Sequence, residues 1–492
     1  MEYETVIGLE VHSQLLTNSK MFCPCRSDYQ SSDPNVLVCP VCMGMPGALP
    51  VINQQAVEHT IKMGLALGCT ISLQTKFDRK NYTYPDLMKG YQISQYDIPI
   101  ANNGVLEIDI GDDTKKVRIE RVHLEEDVAK LQHIKDGDES YSLLDINRSG
   151  IPLMEIVSHP DMRTPEEARE YLTNLRTIIQ YLKVSTGNME EGSFRCDANI
   201  SIRPMGRSEM GNKVEIKNMN SFSGVYNALN HEVSRQKALV DEGGVVEQET
   251  RGWIDEKGIT ISQRTKEDSH DYRYFPDPDL PPLLIKQEHV DDVKKSIPEL
   301  PRQRRIRFIH QYGLSLYDAQ LLTDHKATAD FLEEAMKSTG DLAVSNSTVR
   351  AKSMSNWVLG TLAGLLNAKD LTIEESPVSP DNLSDLVDLI ESGKLSNSLA
   401  KVVLQECCNT GESPSRIVTT KGYLQITDES VVEDAVMQSI SENPSAVLDY
   451  VSGKESAIKF LMGQVMKLTK GKANPGMVNN LLKCKLEEIK EG

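Results

Sequence analysis

In MEEGSFRCDANISIRP, Met189 to Pro204, apolar and polar residues alternate from Phe194 onward. Phe194, Cys196, Ala198, Ile200 and Ile202 fall on one side, and Arg195, Asp197, Asn199, Ser201 and Arg203 on the other. Side chains of a strand point alternately to its two faces, so this stretch predicts a half-buried strand of an antiparallel sheet. Its open face carries both charge signs and an amide, where a merely solvated face would show more Thr, Lys, Glu and Ser. Glu190 and Glu191 introduce the pattern, and Lys213, Glu215 and Lys217 repeat it with Val214 and Ile216 behind. The expectation is one sheet with a polar floor on one face and helices on the other.

Three segments read as helices. Thr164 precedes Pro165 with Glu167 three positions on, a helix start. Ala168, Tyr171, Leu172, Leu175, Ile178, Ile179 and Leu182 then recur at helical spacing. A second helix starts near Ser221 and stops at Gly243-Gly244, and a third runs from about Asn53 to Leu67. At the N-terminus Ile7, Leu9 and Val11 alternate with Gly8, Glu10 and His12. Glu10 and His12 therefore point together away from the core, either as working groups or as the wet face of an edge strand.

Between these elements lies a dense group of acids, Glu125, Glu126 and Asp127, after a strand predicted over Val117–Leu124. A short polar loop leads on to LLDINRSGIPLMEIV, where Asp145, Asn147, Arg148 and Glu155 sit in an apolar run. Like charges repel at short range and buried carboxylates lose hydration, so such a group needs compensation. A divalent cation with phosphate oxygens would supply it; a solvated acidic turn would avoid the need. FDRKNYTYPDLMKGYQISQYDIPI, from Phe77, reads as a polar connection outside the core. Its Lys80 and Lys89 could reach phosphate, and its tyrosines could wall a substrate.

Composition bounds the rest. A chain of 492 residues with 39% hydrophobic and 26% charged residues describes two or three globular domains. No run is long enough to cross a bilayer and no basic-then-apolar leader opens the chain, so no membrane contact and a cytoplasmic location are expected. A net charge of -18 argues against broad nucleic-acid binding. It leaves room for a local basic patch at Arg302, Arg304, Arg305 and Arg307, which otherwise reads as a solvated helix face. Cys23, Cys25, Cys39 and Cys42 form two knuckles whose spacing suits a closed, structural tetrahedral Zn²⁺ site. Asp271–Leu283, DYRYFPDPDLPPL, reads as the seam closing the first domain, and short helices follow. Boundaries fall near Asp292 and Gly411, giving 1–292, 293–410 and 411–492.

No phosphate-binding glycine loop, zinc-protease helix or serine elbow is present. Metal-holding acids with Lys and Arg nearby suit phosphoryl transfer, with Mg²⁺ as the hard cation and Mn²⁺ favoured if His12 is a ligand.

VIGLEVHSQL, the Phe77 stretch, HLEED, LLDINRSGIPLMEIV, MEEGSFRCDANIS and DYRYFPDPDLPPL occur in this order, and FLMGQVMKLTKGKANPGMVNNLL closes the chain. Together they resemble the GatB family, the B subunits of the aspartyl/glutamyl-tRNA(Asn/Gln) amidotransferases, with a YqeY-like tail. The resemblance implies an α+β fold: a glutamine synthetase/guanido kinase-like cradle, then a helical domain and the tRNA-contacting tail. It implies a ligase acting with an amidase (A) subunit and a small C subunit as a heterotrimer. ATP would phosphorylate the side-chain carboxylate of Glu-tRNA(Gln) or Asp-tRNA(Asn), and ammonia from glutamine would displace the phosphate. By motif, Glu10, His12 and Glu125 would hold Mg²⁺, with Glu126 or Asp127 completing the shell. Arg148, Glu155, Glu190, Arg195, Asp197, Asn199 and Arg203 would line the ATP and acyl-end site, and Lys80 and Lys89 the ammonia exit. The competing readings are a non-catalytic zinc-containing RNA adaptor and a free-standing metal phosphoesterase.

Overall fold

The structure is a computed structural model describing residues 2–111, 113–265, 271–338, 347–423, 429–454, 456–469 and 473–491. It divides into two compact units, Met1–Pro301 and Arg302–Gly492.

In chain order the first unit's strands are β1 (Tyr3–Gln14), β2 (Thr70–Ile71), β3 (Gln74–Thr75), β4 (Asp78–Asn81) and β5 (Tyr91–Ser94). Next come β6 (Ala101–Ile110), β7 (Asp113–Glu126), β8 (Lys130–Asp136), β9 (Glu139–Asp145) and β10 (Pro152–Ser158). The last are β11 (Phe194–Pro204), β12 (Val214–Met219), β13 (Glu249–Ile254), β14 (Ile259–Thr265), β15 (Phe275–Pro276) and β16 (Leu283–Leu284). Its helices are α1 (Gln54–Ala66), α2 (Pro165–Leu182), α3 (Phe222–Asp241) and α4 (Gln287–Lys295). One sheet orders β14-β13-β12-β11-β1-β10-β7-β6-β2, with every pairing antiparallel except β12 with β13.

The alternation of β11 and β1 does what the pattern predicts. Ile7, Leu9, Val11, Ala198 and Ile200 join one apolar core with the inward stripes of α1, α2 and α3, while Glu10, His12, Arg195, Asp197 and Asn199 stay partly open on the other face. Thr164 caps α2 by accepting a hydrogen bond from the Glu167 amide (3.2 Å), a contact whose loss costs about 1 kcal/mol. The stripe of α2 is buried throughout, so a Leu172→Ala cavity would cost about 2–5 kcal/mol.

Several local expectations are corrected. The Phe77 stretch is not an exposed connection: β4 and β5 form a hairpin that β15 extends to three strands. Phe77 and Ile93 beside it are core residues. The strand before the acids reaches Glu126 rather than stopping at Leu124. The polar loop after them is the hairpin β8–β9. The Asp271–Leu283 seam is seen, since β15 pairs with β4 and β16 with β3.

The second unit is helical and holds two cores. One runs from Phe308 to Val418 and the other from Val432 to Leu486. Trp357–Leu362 forms a turn of π-helix inside the first. The basic patch is neither a solvated face nor a free cationic surface. Arg304 and Arg305 are buried, and Arg304 pairs with Asp330 (2.6 Å) and Glu333 (2.5 Å). Arg307 also meets Glu333, at 2.7 Å, so these cations hold the helix Pro301–Tyr312 to the helix Lys326–Lys337. Lys470–Lys472 of the tail motif lie outside the described residues.

Candidate active site

Register builds the site. Residues directly opposite each other in a sheet share a face. His12 on β1 stands opposite Arg195 on β11 and opposite Glu155 on β10, and Glu155 stands opposite His123 on β7. One rung across four strands therefore reads Arg195, His12, Glu155, His123. Glu125 lies two residues beyond His123 on the same face, and Glu10 lies two residues before His12.

His12 Nε2 is 3.2 Å from Glu155 and 3.6 Å from Glu125, and His123 Nε2 is 3.4 Å from Glu155. One ligand atom from each of His12, Glu125 and Glu155 lies within 4.8 Å of the others, a spacing that can hold a cation. The donor set fits one: two carboxylates suit a hard ion, and the single imidazole is more natural for Mn²⁺ than for Mg²⁺. Burial pushes the Glu155 carboxyl up, but His123 and His12 outweigh it and hold it well below the usual range. Ser94 donates to Glu125 (3.2 Å).

The other candidates divide. Glu10 stands outside this triad. Its carboxylate accepts from Asn199 Nδ2 (2.8 Å), and burial followed by the charge of Glu155 pushes it up. Glu126 turns the opposite way, accepting from the Ile93 amide (3.0 Å) and pairing with Lys89 at 2.5 Å. Asp127 is a brace: it accepts from Gln14 (2.7 Å) and Arg195 (2.9 Å) and lies 3.8 Å from Arg148. Burial raises the Asp127 carboxyl, yet Arg195 and Arg148 prevail and hold it below the carboxylate range. Neither Glu126 nor Asp127 completes the triad. Arg148 is spent on the carbonyls of Val128 and Ala129, both 2.9 Å.

Asp197 meets Lys217 at 2.6 Å, and Lys217 meets Glu215 at 3.2 Å. Arg203 pairs with Glu4 (2.6 Å) near the far end of β11, and Glu190 is exposed in the turn before that strand. Neither joins the cluster. The Lys80 ammonium sits 4.9 Å from the centre of the Tyr272 ring and 6.0 Å from that of Tyr82. Burial opposes its charge, but Glu125 heads the neighbours that push the amine above its ordinary value. Among the described residues, three buried polar atoms on this floor lack a hydrogen-bond partner: Arg195 Nε, Asn199 Oδ1 and His123 Nδ1. Each such group costs about 1–3 kcal/mol, which a polar ligand or water would offset.

Of these residues His123 is not among the candidates that the sequence singles out. The alternation of His123 and Glu125 in HLEED marks it only once the strand is extended to Glu126.

The four cysteines converge. One sulfur from each of Cys23, Cys25, Cys39 and Cys42 lies within 4.8 Å of the rest, and Cys39 and Cys42 are 3.9 Å apart. Tetrahedral Zn–S bonds of about 2.3 Å would place sulfurs about 3.8 Å apart, so the set fits a metal ion. The Cys23 thiol, then the Cys39 amide and Lys20, draw Cys42 down to about 4 against the effect of burial.

Comparison with known proteins identifies the family. Residues 5–291 match the GatB/GatE catalytic domain, and residues 330–486 match the GatB domain. The chain is 55% identical over 490 residues to the B subunit of the aspartyl/glutamyl-tRNA(Asn/Gln) amidotransferase of Dehalococcoides mccartyi strain CBDB1, covering 99% of each. It is 50% identical to the proteins of that name from Carboxydothermus hydrogenoformans and Thermoanaerobacter pseudethanolicus, over 99% of this chain and 100% of theirs. The chain belongs to the GatB/GatE family. Its GatB/GatE catalytic region, ending at 291, contains the polar floor, the triad and the four cysteines, while the GatB-domain match lies wholly in the helical unit. Among the described residues no helix is long and apolar enough to cross a membrane.

Proposed function

We propose that this chain is the GatB component of a tRNA-dependent amidotransferase, a ligase that forms a carbon–nitrogen bond with glutamine as amido donor. The His12, Glu125 and Glu155 triad on a cation-flanked sheet floor carries the reading. Full-length similarity to amidotransferase subunits supports it over an RNA adaptor. Residues 1–292 form a glutamine synthetase/guanido kinase-like cradle, 293–410 a helical domain and 411–492 a YqeY-like tail for tRNA.

The substrates are ATP and Glu-tRNA(Gln) or Asp-tRNA(Asn). A side-chain carboxylate oxygen attacks the γ-phosphorus of ATP, the bond to the β,γ-bridging oxygen breaks, and ADP leaves. Ammonia then attacks the carbonyl carbon of the acyl phosphate, sheds a proton, and inorganic phosphate departs. A carboxylate is a poor electrophile, and the phosphoryl group turns its oxygen into a leaving group. His12, Glu125 and Glu155 would hold Mg²⁺ or Mn²⁺, which supplies charge neutralisation at phosphate oxygens. Glu10 stays beside that shell and orients Asn199.

Arg195, held by Asp127, and Lys80, fenced by tyrosines, stabilise negative charge as it develops. Lys217, Asp197 and Asn199 line the nucleotide or acyl end of the floor. Lys89 and Glu126 stand where a small pocket lined by Asp86, Tyr91, Asp127 and Ser149 opens, a route for ammonia from the amidase (A) subunit. The C subunit completes the heterotrimer. Zn²⁺ in the four-cysteine site is structural, because four thiolates leave no open position.

Mixing this chain with its amidase and C subunits, mischarged tRNA, ATP and glutamine should yield amidated aminoacyl-tRNA with one ADP per amide. ATP cleavage without amide, or none with all components present, would reject the reading. Deleting the chain after Gly411 should weaken tRNA binding far more than ATP binding; equal losses would count against a tail that grips RNA. Cys39→Ser with Cys42→Ser should release the bound zinc and lower the melting temperature of the first unit. Unchanged metal content would exclude the four-thiolate site.

A further inference from the structure

Lys20 is 1% exposed, among the most deeply buried large side chains of the chain. Lysine is almost never buried to this degree unless paired. Its ammonium donates to the carbonyls of Leu37 (2.8 Å) and Ile146 (3.4 Å), and among the described residues no carboxylate lies within 4.0 Å of it. The cysteine site lies close by: the Lys20 amide donates to the Cys25 carbonyl (2.8 Å), and its ammonium holds Leu37, two residues before Cys39. A Cβ placed on Gly150 would touch Cys42 Cβ and Lys20 Cδ at 3.5 Å each, so the two side chains flank one glycine. Four thiolates around a divalent cation carry a net charge of -2. A buried cation against them answers both the lysine's missing partner and the excess charge of the centre.

The two carbonyls that Lys20 holds belong to different segments. Leu37 lies in the loop between the cysteine pairs, and Ile146 lies in the turn leading to Arg148. Around this bridge Asn147, fully buried, accepts from the Leu37 amide (2.8 Å) and donates to the Asp33 carbonyl (2.8 Å). Asn35 accepts from the Ile146 amide (2.8 Å), and Ser149 donates to the Cys42 carbonyl (3.2 Å). The Gly150 amide then donates to the Asp127 carbonyl (2.8 Å). Two hydrogen bonds joined by the Ser149–Gly150 peptide thus lead from the Cys42 carbonyl to the aspartate that braces Arg195.

We propose that Lys20 is the counter-charge of the four-thiolate centre and that, by bonding Leu37 and Ile146 together, it ties metal occupancy there to the placement of the Asp145–Gly150 turn beside the active site. This rests on the reading that the four cysteines hold a divalent metal such as zinc. The centre is then a support of the catalytic floor as well as a staple of its own loop. Metal loss would loosen the 145–150 turn before it unfolded the sheet.

The full-length chain with its partner subunits, purified with its zinc, tests this. Lys20→Gln keeps N–H donors but drops the charge, and Lys20→Met drops both. Partners of metal ligands typically govern affinity about 10–100-fold, so both variants should pass zinc to a chromophoric chelator about that much faster than the wild type. Stripping zinc from the wild type should raise hydrogen exchange at amides 146–151 while leaving α2 unchanged. That arm needs no variant and decides the coupling if neither substitution folds. Wild-type zinc release in Lys20→Gln would remove the counter-charge role, and unchanged exchange at 146–151 after stripping would remove the coupling. A wild-type chain whose cysteines bind no zinc would reject the four-cysteine reading itself, a separate outcome.

Discussion

Glu125→Gln is expected to reduce tRNA-dependent ATP cleavage by on the order of 10²–10³-fold, the scale for losing one preorganised group that stabilises developing charge. Glutamine matches the volume of the buried glutamate and can still accept from Ser94, so packing and assembly should survive. What disappears is one of two carboxylates facing His12. The measurement is ADP release with and without mischarged tRNA, alongside co-elution of the partner subunits. Glu10→Gln supplies the internal contrast. Glu10 stands outside the triad and contacts Asn199, so its loss should cost about tenfold or less, of the order of one ordinary hydrogen bond. Equal losses for Glu10→Gln and Glu125→Gln would return Glu10 to the cation shell, and unchanged turnover in Glu125→Gln would remove the metal role of the triad.

That contrast also marks where sequence reading stops. The alternation along β11 and β1 is a local signal, and it assigned the polar face correctly because half-buried strands enforce period two. The motif puts Glu155 on the ATP and acyl-end side rather than in the cation shell: β10 is buried at every position, so alternation does not say which way that acid faces until β1 and β7 flank it. Register between strands far apart in sequence is a property of the folded sheet. It brings Glu155 to His12 and leaves Glu10 opposite Asp197. The acidic triplet failed for a local reason. Ending the strand at Leu124 made three adjacent acids look like one cluster, whereas continuing it to Glu126 sends Glu125 and Glu126 to opposite faces. The arginines of Pro301–Tyr312 misled differently, because composition cannot show that Asp330 and Glu333 on another helix neutralise them. The cysteine knuckles were legible since ligand spacing is carried by short turns.

Asp127→Asn is expected to destabilise the first unit by about 3 kcal/mol at neutral pH, the lower end of the cost of breaking a buried ion pair. The lower end applies because Arg195 and Arg148 remain partly open to solvent while Asp127 is nearly enclosed. Asparagine keeps the shape and can still accept one bond, but the two guanidinium groups lose their shared anion. The pH dependence identifies the cause. The folded-state pKa of Asp127 lies below its unfolded value of about 3.9, so its contribution is fully present above that value. It is lost as pH falls from there through the folded pKa, when the native carboxylate finally takes up a proton. Denaturant unfolding of wild type and variant should therefore differ most between pH 5 and 7, and the difference should shrink as the pH is taken below about 4. A gap that stays constant down to acid would mean that the substitution acts through packing rather than charge. In that case the link from Asp127 to Arg195 would not be what fixes the guanidinium opposite His12.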